Sequence, residues 1–188
     1  MGPTGVGKSS FINTAIGRDA PPVGHDLKSG TAEIVHAIVP YPSDPNRRVI
    51  FIDTPGFDDT YVDDSEILRR IAVWLARSYS DDMKLAGVIY LHGISQTRML
   101  GTSLKNLSMF RKLCGNDALK NIILATTKWG DIEDEAGLSR EEQLRSTFWK
   151  DMIGHGSRMG QFRDNYESAW KIVDMIATAE PLDALSRA

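Results

Sequence analysis

Short apolar runs alternate with amphipathic stretches along most of the chain. Three runs are nearly continuous in hydrophobic residues, as expected for strands buried on both faces: residues 49–53, 85–91 and 121–127. A further strand is predicted over residues 31–39. The turn-rich sequence YPSDPNRR separates it from the run at 49–53, which indicates an antiparallel, hairpin-like pair.

Four stretches carry apolar residues at helical spacing, and we predict helices there: residues 65–79, 102–115, 140–153 and 166–179. Gly115 is placed to end the second of these helices. Strands and helices that alternate in this way predict an α/β fold with a doubly wound, mostly parallel sheet.

Composition adds bounds on the fold and on possible partners. The 188 residues are the size of one domain, and the net charge of −3 gives no general attraction to nucleic acid or to an anionic membrane. The one cysteine, Cys114, excludes an internal disulfide and favours a reducing, cytoplasmic location. No apolar run approaches the ~20 residues that a membrane helix needs.

The beginning of the chain satisfies the pattern G-x-x-x-x-G-K-S/T at every fixed position, over residues 2–9. Glycines allow conformations in which successive backbone N–H groups surround phosphate oxygens. Lys8 is expected to reach the β- and γ-phosphates, and the hydroxyl of Ser9 to hold Mg2+. A helix predicted over KSSFINTAIG turns its positive end toward the same anion. The residues expected to bind nucleotide are Gly2, Pro3, Thr4, Gly5, Val6, Gly7, Lys8, Ser9 and Ser10.

The apolar run at 49–53 ends in the sequence DTPG. Asp53 is placed to bind Mg2+ through water, and the backbone N–H of Gly56 to contact the γ-phosphate. The bare spacing D-x-x-G is a weak signal because it recurs twice later in the chain. Only Asp53 follows a buried-strand pattern, so only this match counts.

The sequences MGPTGVGKSSFIN, DTPGF and YLHGISQTRM together resemble those of the septin-related P-loop GTPases. That group includes the immunity-associated nucleotide-binding proteins and the chloroplast outer-envelope import GTPases. The greatest resemblance is to its fungal-type G-domain proteins, and it spans nearly the whole chain. It implies a single G domain over residues 1–188 that binds GTP or GDP with Mg2+ and works as a nucleotide-controlled switch or as a dimer.

In P-loop GTPases the phosphate-binding loop follows a strand that lies inside the sheet, whereas only Met1 precedes it here. We therefore expect this chain to be a fragment that lacks the first strand of the G domain. A further helical region is expected to follow its C-terminal end.

The resemblance also implies a switch residue. Thr31 resembles the threonine that ligates Mg2+ only when the γ-phosphate is present, with Ser29 as the second choice. A threonine that simply begins a strand is the other interpretation.

The base-specificity motif of GTPases is N/T-K-x-D, in which the aspartate accepts two hydrogen bonds from guanine and finds no matching donors on adenine. Thr127 and Lys128 are in place, but the acidic residue, Asp131, comes one position late. Two interpretations stay open. Either Trp129 and Gly130 bulge so that Asp131 reaches the base, or Asp131 caps a turn and guanine is held otherwise. Lys128 is expected to stack on the base in both.

The segment GSRMGQFRDN (156–165) resembles the loop in which the immunity-associated family presents an aromatic residue and an asparagine to guanine. Phe162 and Asn165 are the matching residues. Ordinary packing and helix capping explain both almost as well.

Catalysis depends on the residues that follow Gly56. Small regulatory GTPases carry a glutamine there that orients the attacking water, whereas this chain has Phe57, Asp58 and Asp59. Phenylalanine cannot hold water by a hydrogen bond, so we expect slow turnover by the isolated domain. In a dimer across the nucleotide face, a basic residue entering the partner's site would compensate. Arg98 is the candidate and His92 the second, and a solvated loop arginine is the alternative.

Two other functions stay open. The late Asp131 permits an ATP-using P-loop protein, such as a small kinase or an ATPase, although no arginine-rich lid is evident. Phe57 permits a scaffold that binds nucleotide and never hydrolyses it.

Overall fold

The structure is a computed structural model that describes residues 1–17, 35–56, 66–67, 69, 73, 85–97, 99 and 101–177. Along these residues the chain forms α1 (Lys8–Ile16), β1 (Val35–Tyr41), β2 (Asp44–Asp53), β3 (Val88–Gly93), α2 (Gly101–Cys114), β4 (Ile122–Thr127), α3 (Asp134–Gln143), α4 (Lys150–Gly154), β5 (Arg158–Gln161) and α5 (Tyr166–Ala177). Short 3-10 turns lie at Leu119–Asn121 and Trp129–Asp131, and a π-helical turn, Leu144–Phe148, joins α3 to α4.

The strands form an antiparallel hairpin and a parallel sheet. In the hairpin, β1 pairs with β2 so that Ile38 lies opposite Ile50. In the parallel sheet the strand order is β3-β4-β5. The predicted hairpin and the predicted α/β class with a mostly parallel sheet are therefore confirmed.

The central strand β4 is buried at every position because both of its faces are covered. On one face, Ile123 and Ala125 pack with residues of α1 and α5. On the other, Ile122 and Leu124 pack with α2 and the π-helical turn. The two-sided burial explains why the sequence of this strand shows a continuous apolar run and no alternation.

Met1 pairs with β3 in the manner of a parallel strand. Its backbone oxygen accepts a 2.9 Å hydrogen bond from the N–H of Leu91, and its α-amino group donates to the oxygen of Ile89 at 2.7 Å. Burial, followed by the charge of Lys8, lowers the pKa of this amine to about 5. Within the described residues, the hairpin shares no ladder with the parallel sheet. The interpretation of the chain as a fragment stays a prediction.

Two of the predicted helices have the expected positions. The helix α2 ends at Cys114, and Gly115 follows it with φ +71° and a hydrogen bond from its N–H to the oxygen of Arg111. The helix α5 matches the prediction over 166–179. Of residues 65–79, four are described, and all four are helical. No helix in the described part of the chain is long and apolar enough to cross a membrane.

The helical region around residues 140–153 differs from its prediction. The helix α3 already begins at Asp134, where two acidic residues in the first turn favour a helix N-terminus. It does not continue straight to 153, because the N–H of Trp149 bonds to the oxygen of Leu144 and so closes a wider turn before α4. The strand β5 falls where no strand was predicted, since RMGQ is short and lacks apolar alternation.

Candidate nucleotide-binding site

The phosphate-binding loop, residues 2–9, is held between β3, β4 and α1. Gly7 has φ +96° and ψ +26°, a left-handed conformation that turns the chain directly into α1. Gly2 packs so tightly on β3 that a Cβ there would lie 2.5 Å from the oxygen of Leu91. Val6 is buried in the core, and its backbone oxygen accepts a 2.7 Å hydrogen bond from the hydroxyl of Thr127. The loop is therefore anchored on both sides.

The D-x-x-G segment meets the phosphate-binding loop at Gly56. A Cβ on Gly56 would lie 2.5 Å from the hydroxyl of Thr4 and 2.7 Å from the ammonium of Lys8. The same ammonium donates hydrogen bonds to the backbone oxygens of Gly2 at 3.2 Å and Pro3 at 2.9 Å. The structure thus brings Lys8 and Gly56 together, as their predicted roles at the γ-phosphate require.

Asp53 and Ser9 also meet as predicted for a magnesium site. The hydroxyl of Ser9 donates to Oδ2 of Asp53 at 2.6 Å. The other carboxylate oxygen of Asp53 and the hydroxyl of Thr54 are buried without a hydrogen-bond partner among the described residues. A buried oxygen without a hydrogen-bond partner costs about 1–3 kcal/mol of stability, so we expect a bound ligand to interact with these two oxygens. Hydroxyl and carboxylate oxygens are the ligands that Mg2+ prefers, and these residues fit that ion.

On the other side of the site are two loops, called here the base-side loops: residues 128–133 after β4 and residues 162–165 after β5. In the first, Lys128 is exposed and has φ +63°. The turn that follows bonds the N–H of Asp131 to the oxygen of Lys128 at 3.3 Å and leaves the Asp131 side chain exposed. Trp129 and Gly130 thus bulge into a short turn, and contact of Asp131 with a base and its alternative role as a turn cap both stay predictions.

The bulge has a cause in the packing of Trp129. This side chain is only 3% exposed, and its indole N–H donates to the hydroxyl of Thr126 at 3.0 Å. The ring fits beneath α3 at Gly137, where a Cβ would lie 2.6 Å from it. The extra residue between Lys128 and Asp131 therefore enters the core.

The expectation that Phe162 faces guanine is wrong, whereas contact of Asn165 with guanine stays a prediction. Phe162 is fully buried, with its ring edge against Phe11 at a centroid distance of 5.1 Å. The amide nitrogen of Asn165 donates to the oxygen of Arg163, and its side-chain oxygen accepts from the N–H of Ser168. Packing and capping of α5, the other interpretation, account for both residues.

Asp164 is not among the residues selected from the sequence. It lies close enough to Lys128 and Asp131 for their charges to act on its carboxyl. It is exposed and has φ +53°. Partial burial raises the pKa of its carboxyl, the ammonium of Lys128 opposes that rise, and the carboxylate of Asp131 adds to it. The available signal was an acidic residue directly beside Asn165, of a type that tolerates positive φ.

Comparison with protein-family models matches residues 1–128 to the family described as 50S ribosome-binding GTPase. The chain belongs to this GTPase family.

Solved structures of Toc33 from Arabidopsis thaliana share the fold of this chain. Toc33 in complex with Mg2+ and GMPPNP matches with a TM-score of 0.72 at 14% identity, covering 96% of this chain and 84% of that one. Its complex with GDP and Mg2+ gives 0.71 at 14%, covering 98% and 85%. A structure concerning the importance of dimerization for the GTPase activity of the chloroplast translocon components atToc33 and psToc159 gives 0.74 at 14%, covering 100% and 84%.

Several residues considered for magnesium binding, the switch and catalysis lie outside the described residues. They are Ser29, Thr31, Phe57, Asp58, Asp59 and Arg98. His92 is described, and its selection as a second basic residue for a partner's site is wrong. It is only 5% exposed, with its ring against Trp149, and burial lowers its pKa to about 4. The side chain is therefore neutral and internal near pH 7.

Proposed function

We propose that this domain binds GTP and GDP with Mg2+, hydrolyses GTP slowly and acts as a nucleotide-controlled switch. The convergence of Lys8, Gly56, Ser9 and Asp53 at the phosphate-binding loop carries the proposal. These four residues come from two separate segments, and their meeting at one loop supports the expected contacts with a triphosphate and with magnesium.

Each of these residues has a distinct task. Backbone N–H groups of residues 2–9 surround the phosphates, and Lys8 exchanges the oxygens of Gly2 and Pro3 for those of the β- and γ-phosphates. Ser9 and Asp53 hold the ion, directly or through water, with Thr31 as the further ligand proposed from sequence. An ion held there would supply charge neutralisation at the phosphates during transfer.

We assign the recognition of guanine to the corner formed by Lys128 and Asp164, beside Asp131. Guanine offers an N–H and an amino group that one carboxylate can accept together, and adenine does not. We propose Asp164 as the acceptor, since burial and the charges of Lys128 and Asp131 all act on its carboxyl. Thr127 serves the site as a support, since its hydroxyl is bound to the oxygen of Val6.

We further propose that turnover depends on a homodimer across the nucleotide face, with Arg98 entering the partner's site. An arginine supplied from a partner raises the rate by about 10³–10⁵ in other GTPases. For Toc33, an arginine-to-alanine mutant is described as dimerization-deficient, which supports the same arrangement here. The motif resemblance supports a place in the septin-related group. Ribosome binding is not part of the proposal, because a net charge of −3 offers no general attraction to RNA.

A binding titration with GTP and ATP, each with and without Mg2+, tests the function. We expect magnesium-dependent binding that favours GTP, and loss of binding in Lys8→Ala. Preference for ATP would favour the ATP-using alternative, and absence of binding to both would refute the proposal. Phosphate release measured at rising protein concentration tests the dimer. A more-than-linear increase supports Arg98 acting in the partner, and no release at any concentration favours the scaffold.

A further inference from the structure

We propose that Arg163 is a positioning residue that joins the two base-side loops through Trp129, so that purine selectivity depends on it. The inference rests on the proposed guanine-binding function and adds to it a residue whose guanidinium contacts the protein framework. It explains how a loop with one extra residue can still present Lys128 and Asp164 in fixed positions.

The first observation is the stacking of Arg163 on Trp129. The guanidinium carbon lies 3.9 Å from the centroid of the indole ring. One ring face is thus covered by a cation, while the indole N–H is bound to Thr126. A guanidinium stacks as a planar group in a way that an ammonium cannot match.

The second observation is that the nitrogens of this guanidinium are bound on its other sides. Its Nε and Nη2 atoms donate to the side-chain oxygen of Gln161 at 3.2 and 3.1 Å. Its Nη1 atom pairs with Asp134 at the beginning of α3. These contacts fix the guanidinium of Arg163 in a single orientation. A cation that makes one hydrogen bond would not be fixed in this way.

The third observation is that these contacts close into a ring of side chains. Gln161 donates to Oε2 of Glu141 at 2.6 Å, and the hydroxyl of Thr126 donates to Oε1 of Glu141 at 3.0 Å. Thr126 in turn accepts the N–H of Trp129, which stacks on Arg163. The ring connects the ends of β4 and β5 with α3. Fully satisfied polar networks of this kind hold a single arrangement.

The fourth observation concerns the two residues beside the stack. Lys128 directly precedes Trp129, and Asp164 directly follows Arg163. Among the residues that the structure describes, Lys128 and Asp164 are the non-glycine residues with positive φ, +63° and +53°. Such conformations persist where the surroundings hold them. The Trp129–Arg163 stack joins the chain neighbours of both residues, so it is placed to hold the two backbones together.

The test compares Arg163→Ala and Arg163→Lys with the unaltered 188-residue chain. The probes are GTP, ATP and inorganic tripolyphosphate, whose affinities are measured by titration calorimetry in Mg2+. Tripolyphosphate reports the phosphate-binding loop alone. The matched control is Arg111→Ala. It removes an exposed ion pair between Arg111 and Asp151, 2.7 Å long, and this pair involves neither base-side loop.

We expect Arg163→Ala to lower the GTP-to-ATP affinity ratio by about 3- to 30-fold, in line with the loss of a cation–π contact, and to leave tripolyphosphate affinity unchanged. Arg163→Lys keeps the charge without the planar fork and should show most of the same loss. The control should keep the original ratio. If Arg163→Ala fails to fold, the lysine variant alone decides the question.

Two results would overturn the inference. One is an unchanged GTP-to-ATP ratio in both Arg163 variants. The other is an equal loss of affinity for all three probes, which would show a merely structural role. An unaltered chain that binds no purine triphosphate would instead refute the proposed function, and the inference with it.

Discussion

The part of the site expected to bind phosphate, called here the phosphate side, is formed mainly by the geometry of the backbone. Residues 2–9 and 53–56 meet with so little space that a single methyl group on Gly56 would collide with Lys8. On the base side, side-chain packing makes the site. Trp129 and Arg163 bring together two loops that share no backbone ladder of their own. A site built from backbone groups tolerates few residue types at each position, whereas one built from packed side chains can be reached by many sequences.

The largest effect is expected from Gly56→Ala, which breaks the phosphate side. The added methyl group would lie 2.5 Å from the hydroxyl of Thr4 and would displace Lys8 from the phosphate position. Affinities for GTP and ATP should both fall by about 10- to 100-fold, on the order of an overpacking strain of 1–3 kcal/mol. Gly101→Ala, where a Cβ meets nothing within 4 Å, is the control for both titrations. Unchanged binding would show that the two segments do not meet at the phosphate.

The contrast between the two sides also explains what could be predicted from sequence. Every fixed position of the phosphate-binding motif was evident, because glycine and lysine are required there by backbone conformation and charge. The burial of Trp129 was not, since the spacing of Lys128 and Asp131 alone does not say which side chain enters the core. The positive φ of Asp164 follows from a loop held by distant partners, and the sequence shows only a residue type that tolerates such a conformation.

The next effect is expected from Asp164→Asn, which alters base recognition and leaves the phosphate side intact. An amide in place of the carboxylate offers one donor and one acceptor, which suits xanthine better than guanine. Preference should move from GTP toward XTP, by about 10-fold or more for a replaced charged hydrogen bond. Asp131→Asn is the matched variant. If it switches preference and Asp164→Asn does not, the guanine-reading carboxylate is Asp131.

A smaller effect is expected from Gly137→Ala, which strains the base side from beneath. The new Cβ would lie 2.6 Å from the ring of Trp129, so the tryptophan has to shift. The free energy of unfolding should fall by about 1–3 kcal/mol in a urea titration, and the GTP-to-ATP ratio should fall with it. The control, Gly154→Ala, adds a Cβ that meets nothing within 4 Å and should be neutral or slightly stabilising. If the GTP-to-ATP affinity ratio falls while the free energy of unfolding is unchanged, the new Cβ does not strain the packing of Trp129.

Lowering the pH should reduce the stability of the whole fold, and so affect both sides of the site together. Burial lowers the pKa of His92 from its ordinary value of 6.5 to about 4, so the folded state binds fewer protons than the unfolded chain below pH 6.5. Stability present near neutral pH is therefore lost as the pH falls from 6.5 toward 4, by about 1–2 kcal/mol between pH 7 and pH 5. His92→Gln should flatten the dependence, and the exposed His155→Gln should not.

Thr127→Val tests the joint between the two sides, where the effect is expected to be smallest. The substitution replaces the hydroxyl that binds the oxygen of Val6 at 2.7 Å with a methyl group of similar size. The buried oxygen of Val6 then lacks this partner, at a cost of about 1–2 kcal/mol in the free energy of unfolding.

If this joint only supports the phosphate-binding loop, affinities for GTP, ATP and tripolyphosphate should fall alike, by a few-fold. Thr127→Ser retains the hydroxyl and should behave as the unaltered chain does. A selective loss of GTP affinity in the valine variant would show that Thr127 belongs to the base side, and the division between the two sides would then have to be drawn one residue earlier, at Thr126.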